Sequence, residues 1–196
     1  MTAMLDEKKK PPNAHRITPQ PVIDAVHAFT PVALDPCWNE YALTDAEFVC
    51  DGVEVDGLTA DWGAAVRAAE NHGGVFVNPP WSDPLPWVQK VCAEHAADPT
   101  LDILLWLPMY PETRASGYIW QHAKRICIWG KRINHPAPPI NGAGALVPGG
   151  EVEITSGSML PTWLCYFGPR HAQFETAFRP HGTVVWGWNI KAPRSR

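Results

Sequence analysis

Several signals are missing from this chain, and each absence closes off a class of function. The five cysteines (Cys37, Cys50, Cys92, Cys127, Cys165) are odd in number, widely scattered and without CxxC spacing. That argues against a disulfide framework and a structural zinc site, and points to a reducing cytosol. The eight histidines offer no i,i+4 pair beside a carboxylate ligand set, so no metal is expected. No apolar run approaches membrane-spanning length, and the opening residues, with Lys8-Lys9-Lys10, lack the apolar core of a signal peptide. No membrane partner is expected. Overall basic character is missing too: net charge is −4 and the pI is near 6.0. A nucleic-acid partner would have to be met by a local patch. There is no internal repeat.

What is present is a globular composition, 45% apolar and 18% charged, in 196 residues. That is enough for one domain with a sizeable core and too short for two ordinary ones. Ten Trp and 21 Pro are high counts for this length; each Trp taken singly is best read as core filling. Residues 1–16 read as a flexible basic arm, 17–190 as the domain and 191–196 as a tail. Thr18 is a plausible N-cap with Pro19 at the first helical position, and Val22, Ile23, Val26 and Phe29 recur at helical spacing until Pro31. Val32-Ala33-Leu34 reads as a strand. Helices are expected over Gly63–His72, Pro84–Ala97, Thr113–Ala123 and Pro169–Phe178. Further strands are expected at 74–77, 101–107, 125–129, 163–167 and 183–188. Alternating strands and helices mean an α/β domain with a mostly parallel central sheet flanked by helices. A Pro/Gly-rich insert, 130–160, breaks the alternation, and an insert this long is usually functional or mobile.

Two strand ends carry the chemistry. Gly74-Val75-Phe76-Val77 runs into Asn78-Pro79-Pro80-Trp81. The prolines cannot continue a ladder and stiffen the turn, so Asn78 and Trp81 are presented at a strand's carboxyl end, where open α/β sheets bind ligands. An amide acceptor, the Pro79 carbonyl and an indole side by side suit a planar group with an exocyclic amine. The earlier strand ends in Asp35-Pro36-Cys37-Trp38-Asn39. Cofactor contacts usually follow the first strand, so the division of labour is cofactor at 35–39 and target amine at 78–81.

The tetrapeptide Asn78-Pro79-Pro80-Trp81 resembles the catalytic motif of amino-methyltransferases that use S-adenosylmethionine (AdoMet). With Thr18-Pro19-Gln20, Leu34-Asp35-Pro36-Cys37, Asn39, Gly57-Leu58, Asp61-Trp62-Gly63, Pro86-Trp87-Val88 and Leu104-Leu105-Trp106-Leu107-Pro108 in order, the chain looks like the phage-type, Dam-like DNA N-6-adenine methyltransferases over roughly residues 17–190. The resemblance implies a Rossmann-like AdoMet-dependent fold and methyl transfer to the N6 amine of a flipped adenine in DNA, in the host cytosol of a phage or prophage. It makes Asn78, Pro79, Pro80 and Trp81 catalytic. It assigns Asp35, with Pro36, Cys37 and Asn39, to the cofactor's methionine or ribose end, Asp61 to its adenine or ribose, and Thr18 and Pro19 to its carboxylate end. The family usually carries Tyr or Phe at the position of Trp81, a change that should preserve stacking. The usual glycine-rich cofactor loop is absent here, as it is in the family.

Other readings stand beside these. The Asn78–Trp81 turn can be a rigid strand end with a core Trp, Asp35 a helix N-cap, Asp61-Trp62 a turn acid beside a packing indole, and Cys37 a packing residue. Lys131 and Arg132, with Lys124 and Arg125, can bind phosphate or be a solvated face. His135 and the insert are candidate DNA contacts, while Arg114 and His122 read as surface residues. The acceptor amine can also be cytosine N4 or a protein glutamine, and the chain can be a catalytically silent nucleic-acid-binding relative.

Overall fold

The computed structural model describes residues 16–141, 145–152 and 161–187. The basic arm up to residue 15, the 191–196 tail and the expected end of the last strand at Trp188 lie outside the described residues. In order, the elements are α1 (Gln20–Phe29), β1 (Val32–Asp35), β2 (Phe48–Val49), α2 (Trp62–Ala68), β3 (Gly74–Val77), α3 (Leu85–Ala97), β4 (Ile103–Pro108), α4 (Arg114–His122), β5 (Arg125–Trp129), β6 (Thr162–Phe167), α5 (His171–Phe178) and β7 (Gly182–Trp186). All seven strands join one sheet, ordered β2-β1-β3-β4-β6-β5-β7.

Side-chain alternation along the strands sorts the core into two layers. Val75 and Val77 of β3, Ile103, Leu105 and Leu107 of β4, and Trp163, Cys165 and Phe167 of β6 pack with residues of α2, α3 and α4. Their neighbours Phe76, Leu104, Trp106, Leu164 and Tyr166 point the other way, onto Val22, Ile23 and Val26 of α1 and Phe174 and Phe178 of α5. Every residue of β3, β4 and β6 is buried. Fully burying each large apolar side chain stabilises the fold by about 1.5–3 kcal/mol, so the sheet's centre contributes heavily to stability. Helices covering both faces bear out the α/β reading.

The sheet is mixed rather than mostly parallel. β2, β1, β3 and β4 pair in parallel, but β6 runs antiparallel to both β4 and β5, and β7 antiparallel to β5. β5 ends and β6 begins at the carboxyl edge, so β6 runs from that side between β4 and β5, where a helical crossover would have kept the direction. β5 therefore points the same way as β1, β3 and β4.

Two further expectations change. Thr18 does not cap α1; Pro19 occupies that position without a side-chain cap, its carbonyl accepting from Val22 N (2.9 Å). The Thr18 hydroxyl is turned instead toward Asn78. His135 is no surface contact, being 1% exposed. After β1 the chain passes to β2 on one side of the sheet and afterwards to β3 on the other. That reversal opens a crevice at the carboxyl ends of β1 and β3, the position where ligands bind in open α/β sheets.

Candidate functional site at the carboxyl ends of β1 and β3

Asp35 closes β1 and is 3% exposed. No helix follows, so it is not an N-cap. Its Oδ1 accepts from Cys37 N (2.9 Å) and its Oδ2 from the Thr44 hydroxyl (2.8 Å). Burial pushes the carboxyl up to about 6, against the two hydrogen bonds, which pull it down. Thr44 is itself buried, and its carbonyl lies 2.8 Å from His27 Nε2 on α1, which fixes the loop after β1 at a second point. Pro36 is held by close backbone approach: a Cβ at Gly57 would stand 2.0 Å from the Pro36 carbonyl oxygen, so only glycine fits there. The Cys37 thiol is raised well above its usual range by burial and by the Asp35 carboxylate, which keeps it protonated and makes it a packing group.

Asn78 follows β3 on the adjacent strand. Its amide is fixed from three directions: Nδ2 donates to the Arg16 carbonyl (2.7 Å) and the Thr18 hydroxyl (2.9 Å), and Oδ1 accepts from Trp81 Nε1 (3.1 Å). An amide oxygen has two lone pairs, so the Trp81 bond leaves one acceptor position on Oδ1. Half-buried Trp81 packs against both core layers, bridging them at the edge of the sheet.

Behind Trp81 stands His135, its ring 4.7 Å away at 72°. His135 Nε2 accepts from Trp106 Nε1 (3.1 Å), which requires a neutral ring. Burial and the nearby Arg16 cation push its pKa down to about 4, against a backbone hydrogen bond at Ile133. The segment after β5 is thereby anchored under the motif, and Ile17 N donates to the Pro136 carbonyl (3.1 Å) to close the same corner.

Thr18, Asp35, Cys37, Asn39 and Asn78 line one cavity of about 20 Å³, shared with Arg16 and Thr44. Five of the residues singled out from sequence thus converge. Pro36 is buried behind them, and Pro19 faces a larger neighbouring groove with Lys131 and Arg132. Asp61 stands apart: exposed, it caps α2 by accepting from Ala64 N (2.8 Å), while Trp62 is a buried indole donating to the Gly57 carbonyl (2.8 Å). Sequence reasoning missed Arg16, Thr44 and the bracing role of His135. Arg16 acts on Asn78 through its carbonyl, which no side-chain pattern reports, and Thr44 lies in an irregular stretch without periodicity.

The arrangement offers a buried acid, a hydroxyl and backbone carbonyls on one side, and a fixed amide oxygen on the other. Such a set holds a cationic or hydroxyl-bearing group beside an amine donor. Among the described residues no three His, Cys, Asp or Glu are grouped to hold a metal ion, and no helix is long and apolar enough to cross a membrane. No protein-family model matches this chain, and no curated protein shows significant similarity to it.

Proposed function

We propose that this chain transfers a methyl group from AdoMet to the N6 amine of adenine in DNA, with a Rossmann-like domain as scaffold and the base taken out of the duplex for reaction. The observation that carries the reading is the shared cavity. Asp35 and Asn78, from the ends of adjacent strands, meet at the sheet's switch point. The ordered motifs around Asn78-Pro79-Pro80-Trp81 support it.

The cofactor, when bound, supplies an electrophilic methyl group on a sulfonium. The residues present suit it chemically. Asp35 is a buried carboxyl for an ammonium or ribose hydroxyl, and the Thr18 hydroxyl beside Pro19 suits a carboxylate. Asp61 is assigned a cofactor contact by likeness alone. A cavity of about 20 Å³ holds roughly one water, so AdoMet needs more room than these residues leave in this conformation.

On the substrate side the chain's own groups act as fixed acceptors. The open lone pair of Asn78 Oδ1 takes one N–H of the adenine amine, and the Pro79 carbonyl takes the other. The amine's lone pair is thereby drawn out of conjugation with the ring and aimed at the electrophile. The three bonds on Asn78 matter because a preset acceptor needs no reorganisation during reaction. Incubating the full chain with labelled AdoMet and unmodified duplex DNA, then digesting the DNA for mass spectrometry, tests the reading. N6-methyladenine is the expected product. Label on cytosine N4 or on protein glutamine, or no methylated adenine on any sequence, would sink it.

Trp81 has a more specific role than ring stacking, because its N–H orients Asn78. Trp81→Phe keeps an aromatic ring and loses that donor. Methyl transfer should fall about tenfold, since a hydrogen bond is worth roughly 0.5–1.5 kcal/mol, with thermal stability lowered by a similar energy. Unchanged turnover in Trp81→Phe would leave Trp81 as a stacking surface only.

A further inference from the structure

Beside the Asn78 corner lies an open groove of about 610 Å³ between the start of α1, the segment after β5 and the turn before β7. Its lining includes Lys131, Arg132, Asn134, Gln20 and His181, and no acidic residue, although the chain carries a net charge of −4. Lys131 and Arg132 are exposed and make no ion pair among the described residues. Asp24, one turn along α1, is tied to Gln20 Nε2 (2.8 Å). The His181 ring stacks on buried Trp129 (5.1 Å, 20°), giving the groove a rigid aromatic wall.

Its position matters as much as its charge. Pro19 and Pro136 line the groove. Pro19 directly follows Thr18, which holds Asn78, and Pro136 directly follows His135, which braces Trp81. Asp35, Cys37 and Asn39 line a separate cavity together with Thr18 and Asn78. The groove therefore adjoins the Asn78 corner through Pro19 and Pro136.

We infer that this groove seats the nucleic-acid strand flanking the target base, with Lys131 and Arg132 on its phosphates and Gln20, Asn134 and His181 facing the adjacent nucleotide. The inference rests on the methyl-transfer reading and names where its substrate lies. Two cations in an acid-free groove attract a polyanion. Side-chain amides and an imidazole supply donors and acceptors that phosphates and base edges both use. It also accounts for how an acidic chain meets DNA: the field that counts is local.

The test is anisotropy binding of a fluorescein-labelled, unmethylated duplex to the full chain across a salt series, beside methyl-transfer kinetics. Both residues are exposed, so Lys131→Ala/Arg132→Ala folds as the parent does. Each phosphate contact contributes a slope of about −0.9 in log K against log salt, so the double variant should flatten the slope by roughly 2 and bind about tenfold or more weakly. The KM for DNA should rise correspondingly, with kcat unchanged. Lys131→Arg/Arg132→Lys should restore slope and affinity. An unchanged slope and KM in the double alanine variant, with the parent still methylating DNA, overturns the groove and leaves the methyl-transfer reading standing. A parent chain that methylates no DNA overturns both. Tighter binding of an acidic peptide than of the duplex, lost in the same variant, assigns the groove to a protein and also overturns the inference.

Discussion

Asn78→Ala is expected to lower methyl transfer by about two to three orders of magnitude, the loss typical of removing one preorganised hydrogen-bonding group from a reaction centre. The substitution deletes the acceptor Oδ1 and removes one hydrogen bond each from Trp81 Nε1, the Arg16 carbonyl and the Thr18 hydroxyl. Each lost bond costs about 1 kcal/mol of stability at this half-buried position, so the variant should fold with a lowered melting temperature. AdoMet affinity, measured by calorimetry, should fall far less than transfer, because Asp35 keeps its bonds with Cys37 and Thr44. Asn78→Asp sharpens the comparison. It keeps an oxygen toward Trp81 but sets a carboxylate oxygen where Nδ2 now donates to the Arg16 carbonyl, 2.7 Å away. It should retain more transfer than the alanine variant while being less stable than the parent. Transfer by Asn78→Ala within tenfold of the parent would remove Asn78 from the acceptor role.

Asn78 also shows what a sequence of this kind makes legible. An apolar tetrad stopped by two prolines has few ways to end except at a strand's carboxyl edge, and β3 ends there. The same logic located Asp35. Strand direction was not legible. β6 is buried along its whole length, and a strand covered on both faces reads as a continuous apolar run whichever way it points. The residues between β5 and β6 carry no periodic pattern that would announce the reversal. The two-residue β2 is too short for any pattern and forms through its register with Leu34 and Asp35. Thr18 was legible as an N-cap because a hydroxyl before Pro19 and a helix suits that role. Tertiary structure put the hydroxyl to another use, satisfying Asn78 from 60 positions away. His135 reads as a candidate DNA contact in a Pro/Gly-rich insert. Its burial follows from packing against Trp81 and Trp106, neither of which is near it in sequence. Local pattern thus located the two halves of the site, and long-range contacts decided how each half is held.

Asp35→Asn should stabilise the protein at pH 7 and weaken AdoMet binding in the same experiment. The folded-state carboxyl titrates near 6, against an ordinary value of 3.8. The native state therefore bears a buried charge above pH 6 at a cost of up to about 3 kcal/mol, at 1.36 kcal/mol per unit. Asparagine keeps the acceptor for Cys37 N and can donate to the Thr44 hydroxyl, so the cost is removed without opening a hole. Each kcal/mol recovered should raise Tm by about 2–4 °C for a chain of this size. Loss of a charge-assisted contact should meanwhile weaken AdoMet about 10- to 100-fold, from 1.5–3 kcal/mol. The pH profile separates this from a general packing gain. Between pH 6 and 4 the native Asp35 takes up a proton before the unfolded chain does, so its contribution favours folding more as pH falls. His135 runs the other way. Its pKa is pushed from 6.5 to about 4, so the unfolded chain protonates first and stability drops as pH falls through that window. In the parent the two slopes oppose each other and the acid limb is shallow. In Asp35→Asn the opposing Asp35 slope is gone, so the variant's advantage at pH 7 should shrink through pH 6 and vanish by about pH 4. Urea melts from pH 4 to 8 measure it. A constant difference across that range would show that the gain owes nothing to the buried charge, and tight AdoMet binding by the variant would take Asp35 out of the cofactor site.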